Sequence, residues 1–288
     1  MPAVERPVEL FRSILELVDD LTVLWTICRP VSKQWTQIVE EIFIEKHIRK
    51  TWFRIDGGKW RPRKYGRVML SATFAFDRFD GSNPSRAIFS DKGCESRFFD
   101  KLCERVRDKM EYGNPAYSPN VIIQVRRMVN DTAVPGLEFD FEKLEMSFDW
   151  NRMYSAFFKE EAELERRQDK WLSRPELQDT IIPKLQEQVQ REELRQQDAL
   201  KHMYEQTLGR IPEIRKTLRR ERIYREILES DGVQWTWEDD HDQKDLEKLD
   251  QERYAASIED PFSDESDTDD DMEIDDDNMD VDAEEDDP

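Results

Sequence analysis

The sequence predicts an α+β protein in which a small antiparallel sheet lies between two helical blocks. Three observations predict it. Residues 5–50 carry apolar side chains at helical spacing, residues 51–150 change to a period of two, and residues 151–258 return to a helical, highly charged pattern. The remaining segment, 259–288, has too few apolar residues to build a core and is expected to be disordered.

The first helix starts at Pro7, which suits a first helical turn because its missing N–H has no partner there. Val8, Leu10, Phe11, Ile14, Leu15, Leu17 and Val18 fall on one side, and Glu9, Arg12, Ser13, Glu16 and Asp19 on the other. At about 100° per residue the apolar side covers roughly half the cylinder, wider than the ~100° stripe that faces a single core. Three short helices bury too little surface to be comfortable alone. The surplus apolar face therefore points to a second protein. Asp19 and Asp20 end the first helix and can cap a second, on which Val23, Leu24, Ile27 and Cys28 repeat at helical spacing. Pro30 disfavours helix at Arg29 and favours a fresh start. The third helix then carries Val31, Trp35, Ile38, Val39 and Ile42 on one face.

Beyond Trp52 the alternation of Val68, Leu70, Ala72, Phe74 and Phe76 with Met69, Ser71, Thr73, Ala75 and Asp77 predicts a long half-buried strand. Val121, Ile123, Val125 and Val129 make another. Leu137, Phe139 and Phe141 alternate, and Leu144, Met146, Phe148 and Trp150 resume one residue out of phase. A slip of one reverses the faces, so a bulge or tight turn is expected near Glu142-Lys143. Turns are expected at Asp56-Gly57-Gly58, at Asp80-Gly81-Ser82-Asn83-Pro84, and between Asn130-Asp131 and Pro135-Gly136. A helix around Ser96–Tyr112 should pack on this sheet.

From Asn151 to about Ser230 several charged helices follow. Ser173-x-x-Glu176, with Pro175 between, reads as a capping box. Pro183 should kink or restart that helix. Gly209 ends a helix and Pro212 sits in the first turn of the next. No solenoid repeat and no sustained heptad emerges.

The net charge of −22 is concentrated at one end: residues 259–288 hold eighteen acids and no Lys or Arg, leaving −4 for residues 1–258. Ser257, Ser266 and Thr268 each have an acid three residues on, the context that acid-directed kinases read. Each phosphate would add about −1.5 to −2 charges. Two basic clusters, residues 46–67 and 210–225, stand against this tail. Each reads as a solvated face with helix salt bridges, as a nuclear-import or nucleic-acid patch, or as ground on which the tail folds back. Nucleic acid is not the expected partner, because Trp52, Phe53, Trp60 and Tyr65 in so lean a domain read as core rather than as stacking platforms. Trp235 and Trp237 fit an extended strand docked on the sheet or a short linear motif.

Catalytic chemistry is not expected. His47, His202 and His241 are the three histidines, and none pairs with a His or Cys at metal-ligand spacing. Gly57-Gly58-Lys59 lacks the frame of a phosphate loop. No metal or cofactor is implied. Cys28, Cys94 and Cys103 are odd in number and without CxxC spacing, which fits reduced thiols in the cytosol or nucleus. No stretch approaches the ~18 apolar residues of a membrane helix, and MPAVERPVEL lacks the apolar core of a signal peptide. An intracellular protein without a membrane partner is expected.

Pro7-x-Glu9-Leu10, Ile14-Leu15, Leu24-Trp25 and Val31-Ser32-Lys33-x-Trp35 together resemble the F-box, the short helical motif of SCF-type ubiquitin-ligase receptors, over about residues 5–48. LWTICRPVSKQW, EIFIEKH and FDRFDGSNPSRAIF are similar to segments of a large group of fungal F-box proteins. Arg6 stands where that family usually has an apolar residue, and Pro30 precedes Val31. The resemblance implies a substrate receptor without catalytic residues of its own. Residues 5–48 would grip the ligase's linker subunit and, through it, the cullin. Residues 51–258 would hold a protein substrate at high effective concentration near the loaded conjugating enzyme. Pro7, Leu10, Ile14, Leu24 and Val31 would face the linker, and Trp35 would hold the three helices together. The alternative is an acidic-tailed nuclear binding or chaperone-like protein, independent of a ligase, whose tail attracts basic partners by its long-range field.

Overall fold

In the computed structural model, which describes residues 8–62, 66–91, 93–94, 96–112, 121–191, 194–206, 209 and 211–230, helices and an antiparallel sheet share an α+β fold. Helix α1 spans Val8–Glu16 and α2 begins at Leu21–Val23. Asp20 caps α2, its Oδ1 accepting from the N–H groups of Thr22 (2.8 Å) and Val23 (3.1 Å). That helix continues through a π turn, Leu24–Cys28, and a 3-10 turn, Arg29–Val31. The restart expected at Pro30 is thus displaced. Pro30 sits in the closing 3-10 turn, where its fixed φ is tolerated, and the break falls at extended Ser32. Its Oγ accepts from the N–H of Trp35 at 3.2 Å and caps α3, Lys33–Ile42. Helix α3 then runs on through Phe43–His47 and Ile48–Lys50 directly into the sheet.

The sheet has seven strands in the order β5-β4-β1-β2-β3-β7-β6, every pairing antiparallel. They are β1 Thr51–Trp60, β2 Val68–Asp80, β3 Asn83–Asp91, β4 Ile122–Val125, β5 Met128–Asn130, β6 Glu138–Asp140 and β7 Glu145–Asp149. Paired residues share a face. The registers Phe53↔Phe74, Phe53↔Ile123, Phe76↔Phe89 and Phe89↔Met146 therefore collect one aromatic layer. The sheet is larger than expected for two reasons. Asp56-Gly57-Gly58 is not a turn but a bulge inside β1, with Asp56 Oδ1 accepting from Gly58 N at 2.8 Å. The single strand expected through Val129 is a hairpin, reversed at Arg126, whose φ is 51°. The slip expected near Glu142-Lys143 is a tight turn between β6 and β7.

Helix α4, Phe99–Tyr112, packs on β1 and β2. A Cβ at Gly57 would lie 3.2 Å from Leu70 Cβ and 3.3 Å from Arg105 Cβ, so glycine there lets helix and strand approach. Helix α5, Trp150–Leu172, is capped by Asp149 and buries Trp150, Met153, Tyr154, Phe157 and Phe158. Helices α6, Ile182–Gln190, α7, Gln196–Gln206, and α8, Ile211–Ser230, complete the charged block. Pro183 and Pro212 lie in first turns as expected. The capping box does not form: Ser173 closes α5 instead, and the π turn Glu176–Ile181 has no side-chain cap. One hydrophobic core runs without interruption from Leu15 through the sheet to Phe158.

Candidate docking site

Helix α1 has two apolar sides. Leu15 is buried in the core and Phe11 packs on Trp35 with ring centroids 6.0 Å apart. Leu10 and Ile14 project within about 40° of one another and about 100° or more from Leu15. They are 50 % and 47 % exposed. Leu17 extends that exposed apolar row, Val8 is exposed at the start of the helix on the Leu15 side, and Ile27 and Val31, at the end of the second helix, are also exposed. The polar flank of α1 is tied down. Arg12 pairs with Glu16 at 2.9 Å and with Glu45, and Lys46 reaches Glu16 at 3.2 Å. These bonds raise the proton affinity of Arg12 and lower that of Glu16. The helix is therefore anchored on its inner and polar sides, and its apolar outer row faces solvent.

Of the residues expected to face a partner, Leu10, Ile14 and Val31 do lie on the surface. Leu24 does not: it is 1 % exposed and part of the core, lining the same cleft as Leu15, Leu21 and Ile42. Pro7 lies outside the described residues, as do Ser257, Ser266, Thr268, Trp235, Trp237 and the tail. Trp35 is half-buried at the edge. The ring that joins the helices is Trp25, buried against Phe43 (4.6 Å), Tyr154 (5.4 Å), Phe158 (6.1 Å) and Trp150 (6.3 Å). The Leu24-Trp25 pair was visible in the sequence, but three of the four rings around Trp25 come from α5, more than a hundred residues away.

The basic clusters resolve differently. In the second, Arg219 and Asp131 are both 3 % exposed at the side chain and meet at 2.6 Å. Arg222 bridges Asp131 at 3.3 Å and Glu160 at 2.6 Å, and Arg167 on α5 pairs with Glu221 at 2.7 Å. These residues bind α8 to α5 and to the segment that follows β5 rather than forming a solvated face. Glu163, held by Arg166 and Arg167, is pulled down to about 2. In the first cluster, Lys46, His47, Arg49 and Lys50 border a cleft of about 500 Å³ together with Arg126. Sequence spacing carried no signal for His47 or Arg126 as neighbours; the β4–β5 hairpin brings them together. Arg126 Nε donates to His47 Nδ1 at 3.0 Å. Burial first, then the charges of Arg126, Lys46 and Lys50, hold His47 down to about 3, so its imidazole is neutral.

Among the described residues no group of three His, Cys, Asp or Glu is placed to hold a metal ion, and no helix is long and apolar enough to cross a membrane. Cys28, Cys94 and Cys103 form no disulfide, and burial pushes the Cys28 and Cys103 thiols up. Comparison of the chain with protein-family models, curated proteins and solved structures found no match.

Proposed function

We propose that α1–α3 act as an F-box and that the protein is the substrate-receptor subunit of an SCF-type ubiquitin ligase. What supports the reading is the outer row of α1. Leu10 and Ile14 stand in solvent on a helix whose other apolar side is already committed to the core. An apolar row left over after a core has closed loses free energy only by burial against another molecule. The order of motif residues in the sequence names the molecule: a linker subunit that brings a cullin. Val31 and Ile27 add apolar surface at the end of the second helix, while Leu24 supports from within. The sheet and the charged helices then offer the surface that takes a protein substrate. In this role the chain performs no bond chemistry and supplies effective concentration.

The test is capture of the full chain with purified linker subunit and cullin, compared with a Leu10→Asp/Ile14→Asp variant. Wild type should retain both partners and the variant neither. Capture of basic proteins without cullin when the same chain is offered cell extract would replace this reading with that of an acidic-tailed binding protein.

A further inference from the structure

The geometry points to a second site: we propose that the cleft bordered by Arg49, Lys50, His47 and Arg126 binds a phosphate monoester through a guanidinium that His47 holds in place. The cleft opens between the end of α1 and the last turns of α3, against the tip of the β4–β5 hairpin. Its cations are of two kinds. Lys46 is matched by Glu16, and Glu45, also in the lining, is matched by Arg12. Arg49, Lys50 and Arg126 have no carboxylate partner among the described residues, and Asp19 is the one remaining acid in the lining. The lining as a whole sets Lys46, Arg49, Lys50 and Arg126 against Glu16, Asp19 and Glu45, a net positive charge that favours an anion.

Arg126 is built for such a role. Its φ of 51° is one that a side chain other than glycine's adopts only when its surroundings hold it there. Three contacts do so. Its N–H donates to Lys50 O at 3.1 Å, its carbonyl accepts from Gln124 Nε2 at 2.6 Å, and its Nε donates to His47 Nδ1 at 3.0 Å. With Nε committed, the two terminal amino groups remain, and they are the pair that grips a phosphate in bidentate fashion. Lys46 and Lys50 add their charge to that of Arg126 around the buried imidazole. A volume of about 500 Å³ admits a phosphorylated side chain as readily as a free phosphate. The site lies on the core side of α1, away from Leu10 and Ile14, and does not depend on the ligase reading.

Calorimetric titration of the full chain at low salt tests the inference, using inorganic phosphate, a phosphoserine pentapeptide with neutral flanks, and the same peptide unphosphorylated. Phosphate and phosphopeptide should bind one to one, and the unphosphorylated peptide should not. Tighter binding of the phosphopeptide would assign the site to a phosphorylated side chain; equal binding would assign it to free phosphate. Arg126→Gly deletes the guanidinium while suiting the left-handed backbone, and should weaken binding at least about tenfold with an unchanged unfolding midpoint. Arg49→Gln/Lys50→Gln should weaken it similarly, and it decides the matter should Arg126→Gly fail to fold. Wild-type affinity in these variants, indifference to the phosphate group, or no binding at millimolar phosphate would overturn the proposal.

Discussion

Trp25 Nε1 donates a hydrogen bond to Ser155 Oγ at 3.2 Å, joining the second helix to α5 across 130 residues of chain. Ser155 Oγ donates onward to Asn151 O at 2.7 Å, so the indole is tied to the backbone of α5 itself. Around it, Phe43 of the third helix and Tyr154 and Phe158 of α5 close an aromatic cluster. Below it, the Tyr154 and Thr51 hydroxyls meet at 2.7 Å, where α3 passes into β1. The three N-terminal helices and the sheet are thus parts of one core. Under the proposed function, a protein docked on α1 would stand in fixed geometry to whatever the sheet region holds.

Trp25→Ala should therefore unfold more than its own helix. Truncating a buried aromatic costs about 3–5 kcal/mol, and here it also frees the Ser155 hydroxyl of a donor. Denaturant unfolding followed by circular dichroism should show one transition, shifted as a whole. A second transition for the sheet, unmoved by the substitution, would mean that the helices and sheet are separate units.

The two kinds of apolar residue in the N-terminal helices should separate cleanly. Leu10→Asp/Ile14→Asp places charges in solvent and should change stability by no more than about 0.5 kcal/mol, while abolishing linker capture under the proposed function. Leu24→Asp places a charge in the core and should cost several kcal/mol, on the order of burying an unpaired charge. Equal unfolding midpoints for the two variants would contradict the burial difference between Leu10 and Leu24.

How far each element could be read in advance follows from the range of the forces that set it. Asp20 caps α2 and Pro183 opens α6 because those choices depend on a few neighbouring residues. The alternation from Val68 to Phe76 and the phase slip before Leu144 reflect local backbone geometry and were equally plain. The bulge at Gly57-Gly58 was misread as a turn because Gly-rich sequence suits both. What decides is the partner strand, Leu70 on β2, and the approach of Arg105 on α4. Leu24 lies in the core rather than on the surface, because helical spacing says which residues share a face, not which face the rest of the fold covers. The contact of Arg126 with His47 and that of Arg219 with Asp131 span 79 and 88 residues, and no periodicity encodes them.

The Arg219–Asp131 pair should be structural. Asp131→Ala would leave Arg219 buried without that countercharge, and removing one member of a buried pair costs about 3–5 kcal/mol. Arg219→Met keeps much of the packing stem and removes the charge, so it should cost less than Asp131→Ala. The order of the two unfolding free energies is the measurement. A larger loss in Arg219→Met would show that the guanidinium's other contacts, rather than its charge pairing with Asp131, dominate.

His47 should make stability depend on acid. Its folded value is depressed to about 3 from an ordinary 6.5, so below 6.5 the unfolded chain takes up a proton that the folded chain refuses. Protons then favour unfolding. The imidazole's contribution is fully present above pH 6.5 and is lost as pH falls toward 3, with a slope approaching about 1.4 kcal/mol per pH unit. Carboxylates titrate in the same range, so the contribution has to be read as a difference. His47→Asn supplies a neutral acceptor near the position of Nδ1 for Arg126 and cannot protonate. The stability advantage of wild type over this variant should shrink by about 2–3 kcal/mol between pH 7 and pH 4.5. Parallel pH profiles for the two proteins would mean that His47 takes its proton as easily folded as unfolded, and would contradict the depression that burial beside Arg126 imposes.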